Sequence, residues 1–287
     1  MSWNVTFIIG TRPEAIKLAP VINLFNYSNH FKTRVILTGQ HSLMVKRVVD
    51  IFNIIADVDF NIMREGQTLG SMTSIILTKL EKEFERNKPD LFFVQGDTTT
   101  AFVGALAAFY QNIPIAHVEA GLRTYSIKEP YPEEANRRFI SQIANLNFAP
   151  TKIAKENLEK SDILGEIHIT GNTVVDALND ISNKKINSKV LDGYKYKNLI
   201  LLTIHRRENW GNNLRNIIKA IKLIINKNKD VLFFIPVHPN KIVREPIISE
   251  FGNHPNVIVS DPLDYIDLIF VLKNSRVILT DSGGIQE

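Results

Sequence analysis

Apolar residues along this 287-residue chain fall into short, nearly continuous runs, separated by longer stretches where they recur at helical spacing. The runs are rich in β-branched and aromatic residues, which predicts strands buried on both faces. We place them at 5–9, 34–38, 91–95, 115–118 and 146–149, with a second series at 167–170, 199–203, 231–236, 257–260 and 277–280. Between the first two, Ala15, Leu18, Ala19 and Ile22 share one helical face, and Pro20 predicts a kink there. Strands alternating with helices along the whole length predict βαβ units and parallel sheets. The polar stretch 179–198 is the best linker, which puts a boundary within 171–195. The expected organisation is therefore α/β, with two Rossmann-like domains at 1–175 and 176–287 facing a cleft at the carboxyl ends of their strands.

Composition narrows the class. At 44% hydrophobic and 22% charged, the chain has ample material for a core and resembles neither a disordered nor a membrane-embedded sequence. No apolar run nears the roughly 18 residues that span a bilayer, and Met1-Ser2-Trp3-Asn4 lacks the basic start of a secretory signal. The absence of cysteine excludes disulfides, thiolate metal sites and a cysteine nucleophile. A cytoplasmic protein is expected. Residues 1–170 carry 18 charges of each sign, whereas 171–287 carry 16 basic against 12 acidic. That excess is too mild for a nucleic-acid footprint. It suits either a half that handles a small anion or solvated surface lysines.

The chemistry-bearing residues follow the strands. Gly10-Thr11-Arg12-Pro13-Glu14-Ala15-Ile16-Lys17 is neither of the standard glycine-rich nucleotide motifs, but it puts Arg12 and Lys17 near a helix N-terminus, which favours anions. Asp97, in Gly96-Asp97-Thr98-Thr99-Thr100, is either a helix N-cap or a site residue. Glu119 follows a buried strand directly and needs a partner or a raised pKa. Glu133 and Glu134 open a helix, where the macrodipole alone would favour them. Asp97, Glu119 and Glu133 could still converge, each raising the others' pKa towards a general acid or base. In the second half, His205-Arg206-Arg207-Glu208-Asn209 follows one strand and Asp281-Ser282-Gly283-Gly284 another. The first suits a diphosphate or a surface basic cluster; the second suits a phosphate cradle. His238 repeats the strand-tip histidine.

Together with Val118-Glu119-Ala120-Gly121-Leu122-Arg123 and Pro132-Glu133-Glu134-Ala135-Asn136-Arg137, these motifs resemble, in order and across the whole chain, the non-hydrolysing UDP-N-acetylglucosamine 2-epimerases. The resemblance implies a GT-B-like fold, a homodimer, and reversible conversion of UDP-GlcNAc to UDP-ManNAc for cell-surface polysaccharide synthesis. It implies no metal and no nicotinamide cofactor, and the charge and hydropathy already set aside nucleic acid and membrane as partners. In the chemistry it implies, the C2 proton and UDP are lost to give 2-acetamidoglucal, and UDP then returns as a proton arrives at the other face. Asp97, Glu119 and Glu133 become the acid/base group, with His205 catalytic at the nucleotide; Arg12, Lys17, Ser282, Gly283 and Gly284 bind substrate.

Gln40, Gln67, Glu134, Arg206 and His238 match positions of an activating second UDP-GlcNAc site in some members. Leu43 and Gly66 depart from that pattern, which argues against activation here. Members also continue beyond the final Gln286-Glu287, so the resemblance implies an incomplete second domain lacking at least one strand, and weak or no activity for the 287-residue product. The alternatives are a hydrolysing relative that releases free ManNAc, a GT-B glycosyltransferase, and a non-catalytic UDP-sugar-binding remnant.

Overall fold

The computed structural model describes the chain except residues 1, 40–41, 65, 125, 185, 195–197, 205, 207–208 and 287, and the side chains of 42–44. Two compact units divide it, Met1–Ala177 and Leu178–Glu287.

The first unit is built on seven strands: β1 (Trp3–Ile9), β2 (Phe31–Leu37), β3 (Val58–Asp59), β4 (Leu91–Gln95), β5 (Ile115–Val118), β6 (Leu146–Ala149) and β7 (Glu166–Ile169). All pair in parallel, in the order β3-β2-β1-β4-β5-β6-β7. The continuous apolar runs are buried as such runs should be. Phe7, Ile8 and Ile9 of β1 and Phe92 and Val94 of β4 are inaccessible to solvent. Phe7 stacks on Phe93 at 4.4 Å between ring centres, with Phe25 set edge-on to both.

Helices α1 (Arg12–Tyr27), α2 (Ser42–Ile51), α3 (Leu69–Arg86), α4 (Thr99–Tyr110), α5 (Glu133–Ile143), α6 (Lys152–Glu159) and α7 (Thr173–Ser182) make the crossovers and carry the chain towards the second sheet. Helix α1 continues through the buried Pro20, its apolar face of Ala15, Leu18, Ala19 and Ile22 fully covered. The strand order reverses between β1 and β4, and such a switch point opens a crevice at the carboxyl ends of the strands.

The second unit repeats the plan with β8 (Asn198–Thr203), β9 (Val231–Pro236), β10 (Val257–Ser260) and β11 (Ser275–Thr280), parallel and ordered β10-β9-β8-β11. Helix α8 (Asn212–Lys227) buries Leu214, Ile218, Ile221 and Ile225 at the spacing of one helical face, and α9 (Lys241–Phe251) adds Val243, Ile247 and Phe251 to the same core. Its switch point lies between β8 and β11. No helix among the described residues is long and apolar enough to cross a membrane.

Candidate active site

At the end of β1 the chain turns through Gly10 and Thr11 into α1, whose first residue is the half-buried Arg12. Glu14, one turn in, folds back under this turn and is completely buried. Its Oε2 accepts from the Gly10 N–H at 3.1 Å, the Thr11 N–H at 2.6 Å and the Thr11 hydroxyl at 2.7 Å; its Oε1 accepts from the Thr98 hydroxyl at 2.7 Å. These donors favour the ionised form, but burial outweighs them and pushes the carboxyl up to about 7. Lys17, one turn further on, places its Nζ 2.5 Å from Glu119 Oε1.

Glu119 stands immediately beyond β5 with φ at 65°, a left-handed conformation that costs a residue with a side chain about 1–3 kcal/mol. The surroundings hold it there. Lys17 donates to one carboxylate oxygen and the buried Gln95, last residue of β4, to the other. Gly96 also takes a positive φ of 69°, and a Cβ placed on it would lie 3.7 Å from Glu119 Oε2, so Glu119 lies against the turn that carries Asp97.

The helix cap after β4 is Thr98, whose hydroxyl accepts the Ala101 N–H at 3.0 Å. That leaves the Asp97 carboxylate free of the capping role, and it pairs instead with Arg137 of α5. Asn136, beside Arg137, donates to the Asp97 carbonyl at 2.9 Å. Glu133 opens α5 one turn before Arg137 and is half-buried; its Oε2 is covered and has no hydrogen-bond partner among the described residues. The three carboxylates are thus gathered around the ends of β4 and β5 and the start of α5. Two of them meet a cation, a balance that their repulsion alone did not anticipate.

Beneath them lies His117 of β5. It donates from Nε2 to the Gly96 carbonyl at 2.7 Å, and burial lowers its pKa to about 4, so the ring is neutral near pH 7. Its Nδ1 is buried without a partner among the described residues.

Glu134 turns inward from α5. Fully buried, it accepts from the Thr124 N–H at 3.0 Å and from Arg138 at 2.6 Å, and lies 3.3 Å from Arg137. Arg123 donates to the Leu122 carbonyl and the Ser141 hydroxyl, and burial together with the nearby Arg138 lowers its pKa to about 10. Gln67 is half-buried just before α3, with its Nε2 covered and unpartnered among the described residues.

In the second unit, the Thr203 and Thr280 hydroxyls meet at 2.6 Å across the ends of β8 and β11. Asp281 binds the two loops together, accepting at Oδ2 from the Arg206 N–H and from Asn209 Nδ2, both at 2.9 Å. The Ser282 N–H donates to Thr280 Oγ1 at 3.0 Å. Gly283 and Gly284 are exposed, and a Cβ on either would meet open space. Their exposed backbone lets a ligand approach closely. His238 accepts at Nδ1 from the Asn240 N–H and lies 5.8 Å, ring centre to ring centre, from Trp210. His205, Gln40 and the Leu43 side chain lie outside the described residues, as do Arg207 and Glu208.

Four residues at this site escaped the sequence reading as participants: Glu14, Gln95, His117 and Arg137. Gln95 and His117 carried a usable signal, being polar residues inside otherwise apolar strands.

A sequence-family model described as UDP-N-acetylglucosamine 2-epimerase matches residues 24–287. The UDP-N-acetylglucosamine 2-epimerase of Bacillus subtilis is 46% identical over 285 residues, covering 99% of this chain and 75% of that protein. Among solved structures, the UDP-GlcNAc 2-epimerase of Neisseria meningitidis bound to UDP-GlcNAc is 42% identical with a TM-score of 0.88, covering 99% of this chain and 79% of the other. A Listeria monocytogenes structure superposes with a TM-score of 0.93 at 39% identity, covering 100% of this chain and 76% of the other. The expected α/β class with parallel, Rossmann-like sheets holds, in common with these GT-B-like neighbours.

Proposed function

We propose that this chain, which belongs to the UDP-N-acetylglucosamine 2-epimerase family and so to a family of isomerases, interconverts UDP-GlcNAc and UDP-ManNAc by eliminating and re-adding UDP. The observation that carries this reading is the pairing at the first switch point. Glu119 is held by Lys17 and Gln95 in a strained conformation beside the Asp97 turn, and Glu133 enters from α5. Such an arrangement suits removing a weakly acidic C2 proton. A carboxylate takes the proton, the C2–H electron pair forms the C1=C2 double bond, and the C1–O bond breaks with its electrons leaving on UDP. The reverse steps deliver a proton to the opposite face of C2 and UDP to C1, so two acid/base groups serve the two faces.

The cations match the anion that departs. Arg12 opens α1 and Lys17 lies in its second turn, and Ser282, Gly283 and Gly284 offer exposed backbone and a hydroxyl to phosphate oxygens. His205, placed by its motif next to Arg206, is assigned to departure of the nucleotide. Gln40, Gln67, Glu134, Arg206 and His238 form the second-site set of the resemblance. Within it, Glu134 is committed to internal bonds with Arg137, Arg138 and Thr124, so any role there acts through the helix it anchors. The same reading carries a cytoplasmic homodimer supplying cell-surface polysaccharide synthesis.

Incubation with UDP-GlcNAc in deuterium oxide tests the reaction. The epimerase reading expects deuterium at C2 in both epimers, with UDP regained. Release of free ManNAc and UDP would instead identify a hydrolase, and recovery of unlabelled substrate would leave only a binding protein.

A further inference from the structure

Glu14 takes no part in the proton transfers above, yet like Glu134 it is completely enclosed. Its place three residues after Thr11 is that of a capping box, in which a glutamate reaches back to the N-cap N–H. A capping box accounts for the bond to Thr11 N and nothing more. It explains neither total burial, nor the second backbone donor at Gly10, nor the 2.7 Å bond from Thr98, 84 positions along the chain. A helix cap at the surface would do the local work without enclosing an ionisable group, which is costly unless its bonds are well made.

What the extra bonds do is join two turns. Gly10 and Thr11 follow β1, and Thr98 follows β4, the two strands flanking the switch point. The first turn leads into Arg12 and Lys17; the second carries Asp97. Thr98 also caps α4 through the same oxygen. The two turns also touch beside it, Gly10 lying flat against Thr100, and the Thr38 and Thr100 hydroxyls meet at 3.3 Å.

We infer that Glu14 is a positioning residue of the epimerase site, its carboxyl clamping the turn after β1 to the turn after β4 and so holding Lys17, with Glu119 at its ammonium, against Asp97. The inference rests on the functional reading given above. The clamp survives protonation. With a proton on Oε1 the group donates to Thr98 Oγ1, a hydroxyl that can accept, and Oε2 keeps its three donors. A glutamine reproduces that arrangement, its carbonyl at Oε2 and its amide nitrogen at Oε1. An alanine leaves the Gly10 and Thr11 N–H groups without an acceptor and releases Thr98.

The experiment compares Glu14→Ala and Glu14→Gln for kcat, KM and hydrogen exchange at the Gly10 and Thr11 amides. Displacing reacting groups by about an ångström costs roughly a hundredfold in rate, so Glu14→Ala should lose kcat on that scale, with KM little changed and both amides exchanging faster. Glu14→Gln should restore rate and protection together. Wild-type kcat in Glu14→Ala, or a glutamine variant as slow as alanine, would overturn the inference. If Glu14→Ala does not fold, Glu14→Asp replaces it, because a side chain one methylene shorter cannot span both turns. The same loss of kcat is expected there, and a wild-type rate overturns the clamp. Should the wild-type chain itself show no epimerisation, the functional reading fails, while the amide exchange still reads the clamp.

Discussion

Replacing Glu14 with glutamine removes a buried ionisation while keeping the side chain's shape. Burial pushes this carboxyl from its ordinary 4.5 up to about 7 in the folded protein, and unfolding returns it to the ordinary value. The folded state therefore binds the proton more tightly than the unfolded chain does. The resulting stability is fully present below the unfolded value and is lost as pH rises through the folded one. At about 1.4 kcal/mol per unit, the whole displacement amounts to about 3 kcal/mol, of which about 2.5 kcal/mol falls between pH 5 and pH 8. Urea unfolding of both proteins across that range supplies the difference, and groups common to the two cancel. The glutamine variant should gain on the wild type by about 2.5 kcal/mol from pH 5 to pH 8. A difference that stays flat would mean the carboxyl is solvated or otherwise ionised throughout, and the reasoning from burial would fail.

Other perturbations probe neighbouring contacts. Lys17→Met breaks an ion pair whose side chains are only 14% and 8% exposed; with the Gln95 bond still in place, we expect a loss of about 2–4 kcal/mol in urea unfolding, together with loss of epimerisation, and an unchanged midpoint would argue that the pair is solvated. Gly10→Ala would set a Cβ 2.1 Å from Thr100 Oγ1. Overpacking of this kind costs about 1–3 kcal/mol; adding Thr100→Ala removes the hydroxyl and methyl contacts but leaves its Cβ 2.7 Å away, so it should recover only part of the loss, and full stability in the single variant would contradict the close approach. Asp281→Ala removes the common acceptor of Arg206 N and Asn209, so UDP binding by calorimetry should weaken about tenfold, or about 1.4 kcal/mol, and an unchanged Kd would show that this loop contact has no part in holding the nucleotide.

Much of the scaffold was readable because buried parallel strands announce themselves as unbroken apolar runs. Leu91–Gln95, Ile115–Val118 and Val231–Pro236 begin and end where the runs do. The signal fades where burial is partial. β2 begins at Phe31, three residues before the apolar run suggests, because Lys32 and Thr33 are at least partly exposed, and the two-residue β3 is too short to leave a pattern. Pro20 sits inside α1 because the lost backbone bond falls within a helix that is otherwise well buried.

Within the site, the loop residues at strand ends were visible as such, but their partners were not. Nothing near Asp97 in the sequence signals that Arg137 will pair with it, nor that the cap will fall one residue later, on Thr98. Glu14 reads locally as an ordinary first-turn glutamate. Its burial is set by Thr98 and the β4 turn, which only the folded sheet brings beneath it.

The measurement that bears most directly on the chemistry is exchange at C2 of UDP-GlcNAc in deuterium oxide, made with Glu119→Gln and Asp97→Asn alongside wild-type protein, with UDP affinity measured on each. The carboxylate account predicts that both variants lose exchange while binding UDP nearly as well as wild type. A variant that exchanges at the wild-type rate would remove its residue from the acid/base group, and retention by both would contradict the account.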